Sequence, residues 1–230
     1  MESEERIITT PTEEDYKELE RLSRKLKLPS MACHYHVIGA DKDGKITGED
    51  KGRSHTWNRN YWNMVYMQSC MQVAVATNFG AGYMSLKRHN ATVSAITWST
   101  GVNLYPLGAV SNSDYGLLAG RGSGAESFEG YEFTTPITHG SGANQLSHRA
   151  QDATTGVWTG GSLLWTATLR RVLDNLSGGS IVVTEVGIKY YYSSSSYYYL
   201  MCRDLLGSSV TVLNAGTLTI VYTMTLTFPE

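Results

Sequence analysis

The clearest periodicity in the chain lies at its C-terminal end. From Thr217 to Phe228, Leu218, Ile220, Tyr222, Met224, Leu226 and Phe228 alternate with Thr217, Thr219, Val221, Thr223, Thr225 and Thr227. A period of two places one set on each face of a β-strand. Leu163, Trp165, Ala167 and Leu169 begin a similar strand running to Leu173, Asn175 to Gly179 turns the chain, and Ile181 to Tyr192 returns. Ser193 to Ser196 turn it again into Tyr197–Leu205, and Asn214, Ala215 and Gly216 lead into the last strand. Consecutive antiparallel strands joined by short turns predict a mainly β fold: an antiparallel β-sandwich or jelly-roll-like domain.

Upstream, the pattern changes. Tyr16, Leu19, Leu22 and Leu26 recur every three or four residues and predict a helix with one narrow apolar stripe. Thr10 is the expected N-cap, with Pro11 in the first turn and Glu13 reaching back; Pro29 ends the helix. A helix this short is marginal alone and needs a dock on its own domain or on a neighbour. The chain thus divides into a charged helical arm, residues 1–30, and a sandwich domain, residues 31–230.

Cys33–Ile38 and Lys45–Gly48 flank Asp41-Lys42-Asp43-Gly44 and predict a hairpin. A calcium loop would need further oxygen ligands and a distal glutamate, which are missing. Ser54, His55 and Thr56 precede an aromatic segment from Trp57 to Gln72, with Trp57, Tyr61, Met64 and Val65 near one face. It predicts a single accessory helix packed across a sheet, with His55 as a hydrogen-bonding group at its start. Further strands are expected at Val93–Trp98, Tyr115–Ala119, Glu126–Phe133 and Gln145–Ala150.

Composition narrows the function classes. Hydrophobic residues make up 41%, enough for a core, while charged residues are only 17% against roughly 25% in ordinary soluble domains. Fourteen of the forty charges fall in the first twenty-seven positions. A net charge of -2 supplies no global field for nucleic acid, and no apolar run reaches the ~18 residues of a membrane span. Neither partner is expected. The acidic, polar N-terminus does not read as a secretory signal. Cys33, Cys70 and Cys202 match no metal spacing and read as buried thiols of a protein folded in a reducing compartment.

Residues Tyr115 to Gly124, with Gly120, Gly122 and Gly124 alternating, are followed by Ser127 to Phe133, by Pro136 to Gly140, and by Gln145 to Ser147. Thr168 to Ile188, Leu200 to Leu206 and Thr211 to Thr223 follow in turn. This order resembles the minor structural proteins of tailed-bacteriophage virions, with their Gly-rich strand end, "I-x-H-G" turn, "N-x-S-G-x-x-I-x-V-x-E-V-G-L" block and "L-x-A-R-D-V-L" strand. Asp43 to Lys45 and Ser54 to Asn60 resemble that family's N-terminal region. The likeness covers residues 33 to 228; the charged arm and the tyrosine–serine hairpin from Tyr190 to Tyr199 depart from it. It implies a virion protein, assembled in the host bacterial cytoplasm beside other virion proteins such as capsid or tail subunits; the low charge, the Thr- and Tyr-rich strands and the marginal helix predict a homo-oligomer.

Candidate chemistry is sparse. The alternating glycines lack the Lys-Ser/Thr of a phosphate loop, and neither Ser123 nor Ser141 sits in a nucleophile elbow. His34 and His36 share a strand face but lack an evident third ligand. His139 reads as a turn residue and His148 as a strand residue. No catalytic residue, metal or cofactor is expected. Two hypotheses concern contacts. Tyr190, Tyr191, Tyr192, Tyr197, Tyr198 and Tyr199 form either a contact patch for a neighbour or host surface molecule, or the covered face of a long hairpin; Tyr16, Leu19, Leu22 and Leu26 form a second surface. Glu185 falls roughly opposite Arg203 and predicts a cross-strand ion pair that pins register. The expected function is a capsid decoration, neck or tail-mounted component; a host-surface (glycan or protein) binding module and a virion-associated hydrolase, for which a carboxylate pair would serve, are the alternatives.

Overall fold

The computed structural model describes residues 11–70, 85–95, 104–193 and 196–229. The fold is mainly β, an antiparallel sandwich with two helices. In chain order the elements are α1 (Glu13–Lys25), β1 (Ser30–Ala40), β2 (Ile46–Arg53), α2 (Arg59–Cys70), β3 (Ser85–Lys87), β4 (Val93–Ala95), β5 (Leu104–Tyr105), β6 (Gly116–Gly120) and β7 (Ser147–His148). Then follow β8 (Thr155–Thr159), a 3-10 turn at Gly160–Ser162, β9 (Leu164–Asp174), β10 (Ile181–Tyr192), β11 (Tyr197–Val212) and β12 (Thr217–Thr227). One sheet has the order β2-β1-β12-β9, with β7 and β8 both pairing to β9; the second has β11-β10, with β5 and β6 both on β10. A separate hairpin joins β3 and β4.

The alternation in β12 sets the core. Leu218, Ile220 and Tyr222 are buried and the intervening residues half-buried. They meet Leu173, Arg171 and Leu169 of β9 on one side and Gly39, Val37 and Tyr35 of β1 on the other. Facing them across the sandwich are Val183, Val186, Ile188, Cys202 and Val210. From α2, Trp57 just before it, Tyr61 and Met64 close the core.

The connections differ from the sequence reading in one respect that changes the topology. Asn175 to Gly179 does not form a hairpin between β9 and β10; it carries the chain from one sheet to the other, and residues 213–216 carry it back. Buried Asn175 ties these two crossovers together. Its Nδ2 donates to Gly179 O (2.7 Å) and Val212 O (2.8 Å), while its main chain exchanges bonds with Gly216 and Ala215. Only a short polar side chain reaches both turns at once.

Other boundaries shift for local reasons. The N-cap of α1 is Thr12, because Asp15 completes a capping box with it: Thr12 N to Asp15 Oδ2 is 2.7 Å, and Asp15 N to Thr12 Oγ1 is 3.3 Å. Thr10 lies outside the described residues, as do positions 71–72, 96–98 and two of the four serines, 194 and 195. The helix ends at Lys25, ahead of Pro29, with Lys27 left-handed (φ 55). The Asp41 turn forms as expected, its carboxylate accepting from Asp43 N and Lys45 N (both 2.9 Å) with Gly44 at φ +81. Residues 126–133 are not a strand, and β7 is only two residues long.

Replacing Asn175 with alanine removes the side-chain donor to the Val212 carbonyl in a buried place, while the exposed Gly179 carbonyl keeps Ser177 Oγ at 3.1 Å. We expect a loss of about 1–3 kcal/mol, read as a lower urea midpoint with an unchanged m-value.

Candidate interaction surface

Four constellations organise the surfaces. The first begins at Glu185 on β10, which is fully buried. Arg203 of β11 donates its Nε to the Glu185 carboxylate. The strand register puts Gly187, not Glu185, opposite Arg203, so the pair is diagonal. Glu185 Oε1 also accepts from Gly122 N (3.0 Å) and Thr135 N (3.1 Å), and Arg203 donates to Gly124 O (2.7 Å) and Ala125 O (3.2 Å). A side chain at Gly120 or Gly122 would collide with the Glu185 carboxyl group. The alternating glycines therefore make room for a buried ion pair rather than for a phosphate.

Residues 126–133 then cross the outer side of β10 and β11. Glu126 bonds His55 Nε2 (2.9 Å) and accepts from Leu205 N (2.7 Å), Glu129 takes Arg59 Nε (2.9 Å), and Glu132 takes Lys189 Nζ (2.6 Å). Three carboxylates spaced by three residues thus reach cations on the β2–α2 linker, α2 and β10, which draws the segment across the strands instead of along one. His55 is not a helix-start group: its Nδ1 faces Arg53 O (3.1 Å), and the Glu126 carboxylate raises its pKa to about 9. Burial works to raise Glu126, but the His55 and Leu205 hydrogen bonds hold it below the usual carboxylate range.

The second constellation was not anticipated from sequence. Arg171 of β9 lies on the core side, fully buried, and donates to five main-chain carbonyls: Arg149, Leu117, Tyr115, Ala109 and Asn112, at 2.7–3.3 Å. Burial pushes its pKa down to about 10. Its only sequence signal is its parity, an arginine at an inward position between Leu169 and Leu173. Beside it, buried His148 bonds Asn112 O (2.9 Å) and is pushed down to about 4, mainly by burial. His139 Nδ1 accepts from His148 N (3.0 Å). On the sandwich's other flank, buried Asp204 accepts from Tyr222 OH (2.7 Å) and Thr56 Oγ1 (2.9 Å), and burial raises its pKa. Cys33 and Cys202 are buried thiols, both pushed up by burial; the side chain of Cys70 lies outside the described part. His34 and His36 do not converge on a third ligand, and His36 bonds Glu49 (3.1 Å).

The third is the tyrosine hairpin. Tyr190 stands opposite Tyr199, Tyr191 opposite Tyr198, and Tyr192 opposite Tyr197. Tyr192 and Tyr199 are buried, and Tyr190 and Tyr197 pack against the core. This corrects the six-tyrosine contact patch: a period of two turns four of them inward. Tyr191 and Tyr198 face the other way and stack with Tyr115, at centroid distances of 4.8 and 5.9 Å from it. Tyr197 is capped by the Arg88 guanidinium, 3.1 Å from the ring centroid.

No family model matches the chain, and neither a curated protein nor a solved structure does. The likeness to tailed-phage structural proteins therefore rests on the order of short motifs alone.

The fourth is apolar. Beyond the Tyr35–Tyr222–Leu169 row, the core side of the six-stranded sheet loses its cover. Met31, Leu226, Trp165 and Trp158 form one row across β1, β12, β9 and β8, each directly opposite the next. Phe228 meets Trp158 edge-on at 5.7 Å. A groove of about 500 Å³ lies over the β1 side of this row, lined by Tyr16, Leu19, Met31, Trp57, Tyr61 and Leu226 among others. Helix α1 docks here through the edge of its stripe: Arg53 lies over the Tyr16 ring (4.0 Å) and bonds Glu20 (2.9 Å). Leu19, Leu22 and Leu26 remain exposed.

Reversing Arg203 to glutamate sets two carboxylates side by side around a fully buried Glu185. We expect about 3–5 kcal/mol of destabilisation in urea unfolding. The His55–Glu126 bond gives a pH signature. Because the folded-state pKa of His55 is raised, its contribution is complete below about 6.5, the usual histidine value, and is lost as pH climbs through about 9. Glu126→Gln should therefore be clearly less stable than the parent at pH 6, with the gap narrowing by pH 10 in thermal melts.

Proposed function

We propose that this chain is a non-enzymatic structural component of a tailed-phage virion, a capsid decoration, neck or tail-mounted protein that acts through subunit contacts. The carrying observation is the open apolar row Met31–Leu226–Trp165–Trp158 with Phe228, set beside the exposed leucines of α1, in a chain with few charges. Contiguous apolar surface of this kind marks an interaction site. The buried charged groups support the same reading, since Glu185, Arg203, Arg171 and Asp204 are each engaged in holding one segment to another. The virion as the setting follows from the motif order, and the partners are further copies of the chain and neighbouring capsid or tail subunits. Purified particles are expected to contain the chain in a fixed copy number by quantitative mass spectrometry. Its absence from washed, infectious particles would overturn the proposal. Removing residues 1–29 is expected to abolish incorporation; unchanged incorporation would remove the arm from the contact surface.

A second reading has its own observation. The Tyr115–Tyr191–Tyr198 stack presents flat ring faces next to His89, 5.8 Å from Tyr198, a surface suited to a host glycan or protein. Loss of host-cell adsorption on Tyr191→Ser and Tyr198→Ser substitution, with particles otherwise intact, would favour it over the purely structural role.

A further inference from the structure

The six-stranded sheet has two edges of opposite character. The β2 edge carries Glu49, Asp50, Lys51 and Arg53 and is closed onto β11. Asp50 accepts from Gly207 N (3.0 Å) and Ser208 N (3.2 Å), and Thr47 Oγ1 donates to Thr211 O (3.3 Å). At the β8 edge, among the described residues, no strand pairs with the far side of β8, and all five of its residues are exposed. Residues 153–169 run for seventeen positions without a charge or a proline. Exposed edges are ordinarily blunted by lysine, proline or a bulge, because a bare strand is a template for another. This one is left ready to pair.

The side chains of β8 say what would pair with it. Gly156 and Trp158 share a face. Within the chain, the Trp165 ring lies over Gly156, where a Cβ would fall 2.5 Å from Cζ2. If two β8 strands meet antiparallel about an axis at Val157, each Trp158 stands opposite Gly156 of the other copy, and Thr155 opposite Thr159. The small side of each glycine then leaves room beside the partner's tryptophan, twice. A strand of five residues with this order is complementary to itself, which a two-fold interface requires.

Charge and area agree. The flanking Asp152 and Arg170 neutralise each other at 2.6 Å, so pairing buries no lone charge. Val157, Trp158, Trp165 and Phe228 are 60, 49, 44 and 38% exposed. With aromatic side chains of roughly 150–250 Å² each, they offer on the order of 400 Å² of apolar surface per copy. Two copies, with the paired backbones, reach the roughly 1,000 Å² at which specific interfaces begin.

We infer that a second copy of this chain pairs with β8 through its own β8, joining the two six-stranded sheets into one continuous sheet about a two-fold axis at Val157. This rests on the reading that the chain works through subunit contacts, and names the surface. Light scattering on the full chain at tens of micromolar is expected to give a dimer, and Val157→Lys a folded monomer whose melting temperature, unlike the parent's, does not depend on concentration. Val157→Cys should form an intermolecular disulfide under mild oxidation, since opposed residues of an antiparallel pair lie about 4.5–5.5 Å apart at Cα. Lys51→Cys on the other edge should not, and the parent chain sets the background from its own cysteines. A dimer that survives Val157→Lys, with no excess cross-linking of Val157→Cys, overturns the β8 pairing and leaves the subunit-contact reading in place. A monomeric parent chain without that cross-link also overturns it, while the particle analysis decides the broader reading separately.

Discussion

A six-stranded sheet packed against a four-stranded one cannot bury its whole apolar side. The strands β1, β9 and β12 are each eleven residues long, and their inward alternation continues past the point where β10 and β11 give cover. Up to Leu169, Tyr222 and Cys33 the inward residues are sealed; beyond them the same pattern leaves Leu226 half-buried and Met31 and Trp165 at the surface. The groove beside α1 and the uncovered tryptophan row are consequences of that mismatch in area. So is the exposure of β8, which pairs with the part of β9 lying beyond the second layer.

Inside the sandwich, charge is used sparingly and largely to hold main chain in place. Arg171 satisfies five carbonyls without an acidic partner, and Glu185 collects two N–H groups besides Arg203. Long irregular segments, residues 106–115 and 121–135, thereby gain fixed positions without regular hydrogen-bond ladders of their own. Deep burial makes these contacts costly to disrupt, because a group deprived of its partner has no water to turn to. This is the physical content of reading the molecule as a scaffold: its ionisable groups fix loops, and its unused free energy lies in apolar area at the rim.

Much of this was legible in the chain. The two-residue rhythm from Thr217 to Phe228 defines β12 and its buried face, because side-chain direction in a strand is a local property. The Asp41 turn and the hairpin around the four serines follow from equally local turn chemistry. Glu185 and Arg203 could be paired on paper because one hairpin brings them together. The tyrosine faces were ambiguous, since period two divides six residues without saying which face meets the core.

What the amino-acid sequence determined alone was therefore the long alternating strands, their two faces and the mainly β class, all properties decided within a few residues of each position. Only the tertiary structure decided which strands share a sheet. Asn175 reads as an ordinary turn residue, yet it joins two crossovers through contacts with residues 37 and more positions away. The same holds for the glycines at 120 and 122, whose reason is a carboxylate on β10, and for residues 126–133, whose alternation yields to three ion pairs on distant elements. Long-range contacts choose among locally permitted conformations, and no periodicity within a segment records that choice.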